Sequence, residues 1–114
     1  FLIASKHKLD NLKIIIDYNK IQALTSLKEG LPLCNLKKKI EAFNWNCVDV
    51  KNGNSISSLI NAFKMPKIKH KPTAIIINTI KSKGIKEFEN DPVWHARKLN
   101  DKDIIIGKKR LEIK

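Results

Sequence analysis

Two segments with three consecutive isoleucines each, Leu12–Asp17 and Thr73–Asn78, restrict the possible folds more than any other feature of this chain. Short, continuous apolar runs of this kind are typical of strands in a parallel sheet that is covered on both faces. Asn46–Val50 is a weaker third strand, and the stretches between the strands have helical spacing. This alternation predicts an α/β fold with three layers, in which an open, mainly parallel sheet lies between helices.

Two amphipathic helices are predicted between the strands. Asn35 and Ser55 stand at N-cap positions, and Pro66 ends the second helix. The apolar residues that share one helical face are Leu36, Ile40 and Phe43 in the first helix, and Ile56, Leu59, Ile60 and Phe63 in the second.

The two ends of the chain are harder to interpret. After Asn100, either Asn100 or Asp101 caps a helix, or the IIIG segment that ends at Gly107 forms a short strand. The sequence opens in what reads as the end of a helix, and its only methionine is Met65. We therefore expect residues 1–114 to be a single partial domain, the later part of something larger.

The formal net charge of +12 raises the possibility of nucleic-acid binding. Lysine supplies 21 of the 23 basic residues, whereas base reading and bidentate phosphate binding depend on arginine. We therefore expect no specific nucleic-acid binding. Because the sequence has neither a membrane-length apolar run nor a secretory signal, we also expect no membrane association and a cytoplasmic location.

Polar clusters follow each predicted strand. They are Asp17-Tyr18-Asn19, Asn52-Gly53-Asn54, and Thr79 with Lys81 and Gly84. In open α/β sheets, ligands bind at the carboxyl ends of the strands. The pattern favours a polar or phosphorylated ligand at that edge.

Four segments carry a more specific signal: LDNLKIIIDYNKIQ, KKKIEAFNWNCVDVKNGN, KPTAIIINTIKSKG and FENDPVWH, in this order. Together they resemble the thiamine-diphosphate-binding domain of transketolases. The likeness runs from about Ala4 to Asn100. It is greatest to the short bacterial and archaeal type, in which the N-terminal and C-terminal halves are separate polypeptides.

The resemblance implies part of a transferase that moves a two-carbon ketol unit between sugar phosphates with thiamine diphosphate. In this family Mg²⁺ or Ca²⁺ bridges the diphosphate to the protein, through an Asp of a GDG motif, an Asn side chain and a nearby main-chain carbonyl. Asn19 and Ile21 match the last two metal ligands and, through the metal, would hold the cofactor. These are the oxygen ligands that Mg²⁺ prefers. Without the resemblance, Asn19 would be interpreted as a turn residue after a strand.

The resemblance also assigns roles to residues near the end of the chain. His95 matches the histidine of the family's WHG segment, which implies a catalytic and cofactor-binding imidazole near the diphosphate and a substrate hydroxyl. Lys81 and Lys83, in TIKSKG where the family has TIKGKG, either neutralise a phosphate or are ordinary surface lysines. Gly84 is expected to allow a tight turn.

Departures from the family pattern leave alternatives open. The sequence contains neither the GDG segment nor the partner domain that activates the cofactor, so we expect this piece to be inactive alone and to require a C-terminal transketolase half, in a dimer or heterotetramer. NGNS replaces a DGHD-like turn, Ser82 and Ala96 replace glycines, and such changes are harmful mainly where φ is positive. The alternatives are a decayed remnant, a noncatalytic basic binding module, and another thiamine-diphosphate enzyme such as a deoxyxylulose-phosphate synthase.

Overall fold

The computed structural model describes residues 1–23 and 25–113. Its helices and strands are, in chain order, α1 (Leu2–Lys6), β1 (Lys13–Asp17), α2 (Leu27–Gly30), α3 (Leu36–Ala42), β2 (Asn46–Val50), α4 (Ile56–Lys64), β3 (Thr73–Ile77), a 3-10 helix (Pro92–His95) and α5 (Asp101–Arg110). They form two compact units: unit 1 comprises Phe1–Tyr18 and Leu33–Thr79, and unit 2 comprises Asn19–Pro32 and Ile80–Lys114. That the chain is one partial domain stays a prediction.

Unit 1 is built on a parallel three-stranded sheet with the strand order β1-β3-β2. In the register of the sheet, Thr73 of β3 lies opposite Lys13 on one side and opposite Asn46 on the other. The predicted α/β class and open parallel sheet are confirmed. The bounds of β2 are as predicted, whereas β1 begins one residue later and β3 ends one residue earlier than predicted.

Helices cover both faces of this sheet, which confirms the three layers. On one face, Ala4 of α1 and Ile40 of α3 pack in a cluster with Ala74 of β3. On the other face, Ala62 of α4 packs with Ile75, whose exposed fraction is 0%. The central position of β3 therefore accounts for its continuous apolar sequence.

The expectation that β1 is also covered on both faces is wrong for the described chain. Ile15 is 55% exposed. It projects from an edge strand on the α4 side of the sheet, where the buried cluster consists of residues of β2, β3 and α4. An apolar run thus identified this strand correctly but did not show its position in the sheet.

The predicted helix caps of unit 1 are present. Asn35 Oδ1 accepts a hydrogen bond from the Lys38 N–H at 3.1 Å, and Ser55 Oγ accepts one from the Ser58 N–H at 3.3 Å. Helix α4 ends at Lys64, just before Pro66. Side-chain caps of this type satisfy N–H groups that would otherwise lack partners in the first turn.

Unit 2 contains the elements that the sequence did not resolve. The IIIG segment belongs to α5, which continues through Gly107 to Arg110, so the strand alternative is wrong. Asn100 and Asp103 form a capping box at the start of α5, and this starting signal outweighs the single internal glycine. Among the residues described, no helix is long and apolar enough to cross a membrane.

Candidate functional site

In unit 1, polar residues gather at the carboxyl edge of the sheet, as their positions after the strands predict. Thr79 Oγ1 donates a hydrogen bond to Asp17 Oδ1, which links the ends of β1 and β3. The Tyr18 N–H also donates to the Ile77 carbonyl at 2.8 Å. These bonds fix the positions at which two chain segments leave the sheet.

The turn after β2 approaches the end of β3 closely because it contains Gly53. The Gly53 N–H donates to the Asn78 carbonyl at 2.8 Å. A Cβ atom at Gly53 would lie 2.8 Å from Thr79 Cγ2 and 2.9 Å from the Asn78 oxygen, which is too close for any side chain. The NGNS turn therefore keeps the one glycine that this contact requires.

Asp49 and Asn78 form a polar pair at the same edge that sequence reasoning missed. Asn78 Nδ2 donates to Asp49 Oδ1 at 2.7 Å. A hydrogen bond from Lys51 and the one from Asn78 lower the pKa of Asp49, against the opposing effect of burial. The pair lines a cavity of about 410 Å³ together with Tyr18, Cys34, Asn35, Leu36, Lys37 and Ile76. The sequence contained one signal for Asp49. It lies two residues after Cys47 in β2, so both side chains lie on the α3 face of the sheet.

In unit 2, the two predicted metal ligands, Asn19 and Ile21, belong to one short turn, which we call the 19–21 turn. Asn19 Oδ1 accepts a hydrogen bond from the Ile21 N–H at 2.9 Å, and Lys20 between them has a φ of 64°. Both predicted ligands are partly buried. An amide oxygen has two lone pairs, so Asn19 Oδ1 can accept this bond and still bind a cation.

The Ile21 carbonyl takes no part in the hydrogen bonds of the short antiparallel bridge that follows the turn. Ile21 lies opposite Ser26 in an isolated antiparallel bridge. The hydrogen bonds of the bridge come from their neighbours: Gln22 N–H to Thr25 O at 2.9 Å, and Leu27 N–H to Lys20 O at 2.8 Å. In this pattern the carbonyl of Ile21 points away from the paired segment. The carbonyl is therefore not used by the bridge.

Lys81 and Lys83 lie in a loop that Glu89 closes. Glu89 Oε1 accepts from the Gly84 N–H at 3.2 Å and lies 3.3 Å from Lys83 Nζ. The Gly84 N–H and then Lys83 lower the pKa of Glu89. Gly84 has a φ of 113°, which confirms its expected role in a tight turn. Lys83 thus has a protein partner, and Lys81 is partly buried.

His95 ends the 3-10 helix, and its side chain is exposed. Its neighbour Trp94 packs on Phe88, with 4.1 Å between the ring centroids, and Arg97 lies 4.3 Å from the indole centroid. Trp94 Nε1 is buried and has no hydrogen-bond partner among the described residues. A buried N–H without an acceptor is costly, so this donor is a feature that a bound polar group would satisfy.

All four residues predicted to form the site belong to unit 2: Asn19, Ile21, Lys81 and His95. Within unit 2, a direct hydrogen bond joins Asn19 to Ile21. In residues 1–23 and 25–113, no group of three or more His, Cys, Asp and Glu side chains is arranged to hold a metal ion. A metal at the 19–21 turn would therefore need further oxygen ligands.

Comparison with known proteins identifies similar sequences. The family model described as "Transketolase, thiamine diphosphate binding domain" matches residues 2–114. Human transketolase is 38% identical over 96 residues, which cover 84% of this chain and 15% of the human protein. An apulose-4-phosphate transketolase subunit of Actinobacillus succinogenes is also 38% identical over 96 residues, covering 84% of this chain and 34% of its own length.

The fold is similar to those of known transketolase structures. The crystal structure of transketolase from Campylobacter jejuni aligns with a TM-score of 0.84 and 28% identity, covering 97% of this chain and 17% of that one. The chain thus spans about a third or less of the length of these relatives.

Proposed function

Because this chain belongs to the transketolase family, through its thiamine-diphosphate-binding domain, we propose that it is part of an enzyme that transfers a two-carbon ketol unit between sugar phosphates. The observation that carries this proposal is the 19–21 turn, in which Asn19 Oδ1 is fixed at 2.9 Å from the Ile21 N–H while the Ile21 carbonyl is left out of the neighbouring bridge. The same two residues match the metal ligands of the family pattern.

The proposed activity requires more chain than these 114 residues. We propose a C-terminal transketolase half as the partner, on the same or a separate polypeptide, in a cytoplasmic dimer or heterotetramer. The bacterial relative whose name describes it as one subunit of a transketolase supports a two-polypeptide arrangement. On this proposal the isolated chain is inactive, because it contributes only part of the cofactor site.

We propose Asn19 and Ile21 as ligands of Mg²⁺ or Ca²⁺ at the cofactor diphosphate. Their donor atoms fit such a cation, because an amide oxygen and a main-chain carbonyl are the neutral oxygen ligands that these ions accept. Carboxylate and phosphate oxygens would complete the coordination. The side chain of Ile21 has no role in this binding, since only its main chain takes part.

We also assign Lys81 and His95 to the proposed site. The exposed imidazole of His95 can donate a hydrogen bond to a phosphate oxygen and exchange a proton with a substrate hydroxyl. Lys81 contributes positive charge toward a diphosphate. Thiamine diphosphate, when bound, supplies the electron sink for the carbanion chemistry, while the protein supplies binding and orientation. The unpaired donor at Trp94, next to His95 in sequence, is compatible with a polar ligand.

The decisive variant is Asn19→Ala, tested in the chain assembled with its C-terminal half. We expect thiamine diphosphate to bind at least about tenfold more weakly in the presence of Mg²⁺, because losing even an indirect metal contact has an effect of that size. Isothermal titration calorimetry measures the affinity, and circular dichroism checks that the fold is retained. Asn19→Asp keeps an oxygen that accepts from the Ile21 N–H, so it should retain Mg²⁺-dependent binding.

The matched control is Asn61→Ala, which removes an exposed amide from α4 of unit 1. It should leave cofactor binding unchanged.

The other candidate function, a noncatalytic basic binding module, is favoured by the charge of +12. It would replace the enzyme proposal if the assembled wild-type protein bound no thiamine diphosphate while Lys-to-Glu variants abolished binding to nucleic acid.

A further inference from the structure

We propose that Glu29 is a positioning residue for the 19–21 turn. Together with Thr25 and Ser26, it holds the backbone that presents the Ile21 carbonyl. This inference rests on the proposed function, since it concerns the same site. We call these three residues the Glu29 cluster. None of them belongs to the family motifs on which the sequence assignment depends.

The Glu29 cluster is a closed set of hydrogen bonds. A single carboxylate oxygen, Glu29 Oε2, accepts from Thr25 Oγ1 and from Ser26 Oγ, each at 2.9 Å. Ser26 Oγ in turn accepts from the Glu29 N–H at 3.3 Å. Ser26 is the N-cap of α2, so the cluster fixes where this helix begins.

Two of the three residues of the Glu29 cluster take part in the antiparallel bridge to the 19–21 turn. Ser26 lies opposite Ile21, and the Thr25 carbonyl accepts from the Gln22 N–H at 2.9 Å. Holding Thr25 and Ser26 through Glu29 therefore holds the bridge. The bridge sets the direction of the Ile21 carbonyl.

Gly30 gives a second, independent sign that this segment is tightly closed. A Cβ atom at Gly30 would lie 2.5 Å from Gln22 Oε1 and 2.9 Å from Thr25 Cγ2. Gly30 thus lies directly against the side chains of Gln22 and Thr25. Such packing favours a single arrangement of the turn before any ligand binds.

A preformed turn binds a cation more tightly than one that must first be ordered. If only a fraction of molecules has the competent arrangement, the apparent dissociation constant rises by the inverse of that fraction. Losing a capping interaction of ordinary strength, about 1 kcal/mol, lowers the equilibrium constant for forming the competent arrangement about fivefold. Glu29 should therefore change the Mg²⁺ requirement of cofactor binding without contacting the metal.

The test compares Glu29→Ala with Glu29→Gln in the chain assembled with its C-terminal half. Thiamine diphosphate binding is measured by calorimetry over a range of Mg²⁺ concentrations. We expect Glu29→Ala to raise the Mg²⁺ concentration for half-maximal binding by a factor of up to about five, with the same maximum at saturating Mg²⁺. Glu29→Gln keeps one oxygen that can accept from both hydroxyls, so its midpoint should stay close to that of the wild type.

Glu41→Ala is the matched control, because Glu41 is an exposed glutamate whose ion pair with Lys37, at 3.7 Å, lies in unit 1. Its Mg²⁺ midpoint should not change. If Glu29→Ala lowers the unfolding temperature but leaves the Mg²⁺ midpoint unchanged, the positioning role is wrong. Asn19→Ala separates the two proposals: if it weakens binding and Glu29→Ala does not, only the positioning role fails, whereas no effect of Asn19→Ala overturns the proposed metal-ligand role of the 19–21 turn.

Discussion

Ser82 has a backbone that glycine would adopt more easily, with a φ of 59°. The left-handed region strains an ordinary side chain by about 1 kcal/mol, and the greater flexibility of unfolded glycine offsets about 0.5 kcal/mol of the relief. We therefore expect Ser82→Gly, which restores the glycine of the family's TIKGKG pattern, to raise the free energy of unfolding by about 0.5 kcal/mol. Urea unfolding followed by circular dichroism measures this change.

Ala96 provides the matched comparison, because it also replaces a glycine of the family pattern but has a φ of −136°. A negative φ carries none of the left-handed strain of Ser82, so Ala96→Gly should lower the free energy of unfolding by about 0.5 kcal/mol. Equal effects of the two substitutions would show that backbone strain does not distinguish these sites.

At the level of single residues, the candidate metal ligands could be identified only from the resemblance to a family pattern. Without the family pattern, Asn19 would be interpreted as a turn residue, and the structure shows that it does form a turn with Ile21. Glu29 could not be selected from the sequence, because its importance depends on hydroxyl groups brought to one carboxylate oxygen by the fold. Asp49 and Asn78 were missed for the same reason, since their contact joins β2 to the residue that follows β3.

Among the elements, α5 depends on a carboxylate at its start. Asp103 accepts from the Asn100 N–H at 2.9 Å and also from Arg97, and these interactions, the Asn100 bond first, lower the pKa of Asp103. A lowered pKa means that the stabilisation is complete above the ordinary aspartate pKa of about 4 and is lost as the pH falls through the folded-state value. Asp103→Asn should therefore lower the thermal midpoint at pH 7, and the difference from the wild type should shrink toward pH 3.

Asp101→Asn tests whether this effect belongs to the cap. Asp101 lies exposed in the same first turn of α5, so its substitution removes an equal charge near the helix N-terminus. We expect a smaller decrease in the midpoint than for Asp103→Asn. A deficit of Asp103→Asn that persisted unchanged at pH 3 would mean that packing, not the charge of the carboxylate, is responsible.

The predictable elements are those whose local sequence carries both a period and a boundary signal. β2, α3 and α4 were predicted for this reason, from apolar spacing together with Asn35, Ser55 and Pro66. α2 and the 3-10 helix each have four residues, too few to show a period, and were not predicted. The edge position of β1 depends on which strands pair, so the isoleucine run could not reveal that Ile15 is exposed.

For the whole chain, the net charge of +12 predicts how stability responds to salt. Mutual repulsion among the lysines disfavours the folded state, and salt screens charges beyond about 10 Å at 0.1 M. We expect the thermal midpoint to rise by a few degrees as NaCl increases from about 0.01 to 0.2 M, because a change of about 1 kcal/mol shifts the midpoint of a domain of this size by that amount. Differential scanning calorimetry measures the midpoint.

Charge reversal shows whether general repulsion is the cause. Lys67→Glu and Lys69→Glu change exposed lysines in the segment between α4 and β3, outside any helix or strand, so they lower the net charge without altering a helix dipole. The double variant should be more stable than the wild type at low salt and should gain less from added NaCl. A midpoint that fell with salt would instead mean that local ion pairs, such as the one between Arg110 and Glu87, outweigh the repulsion.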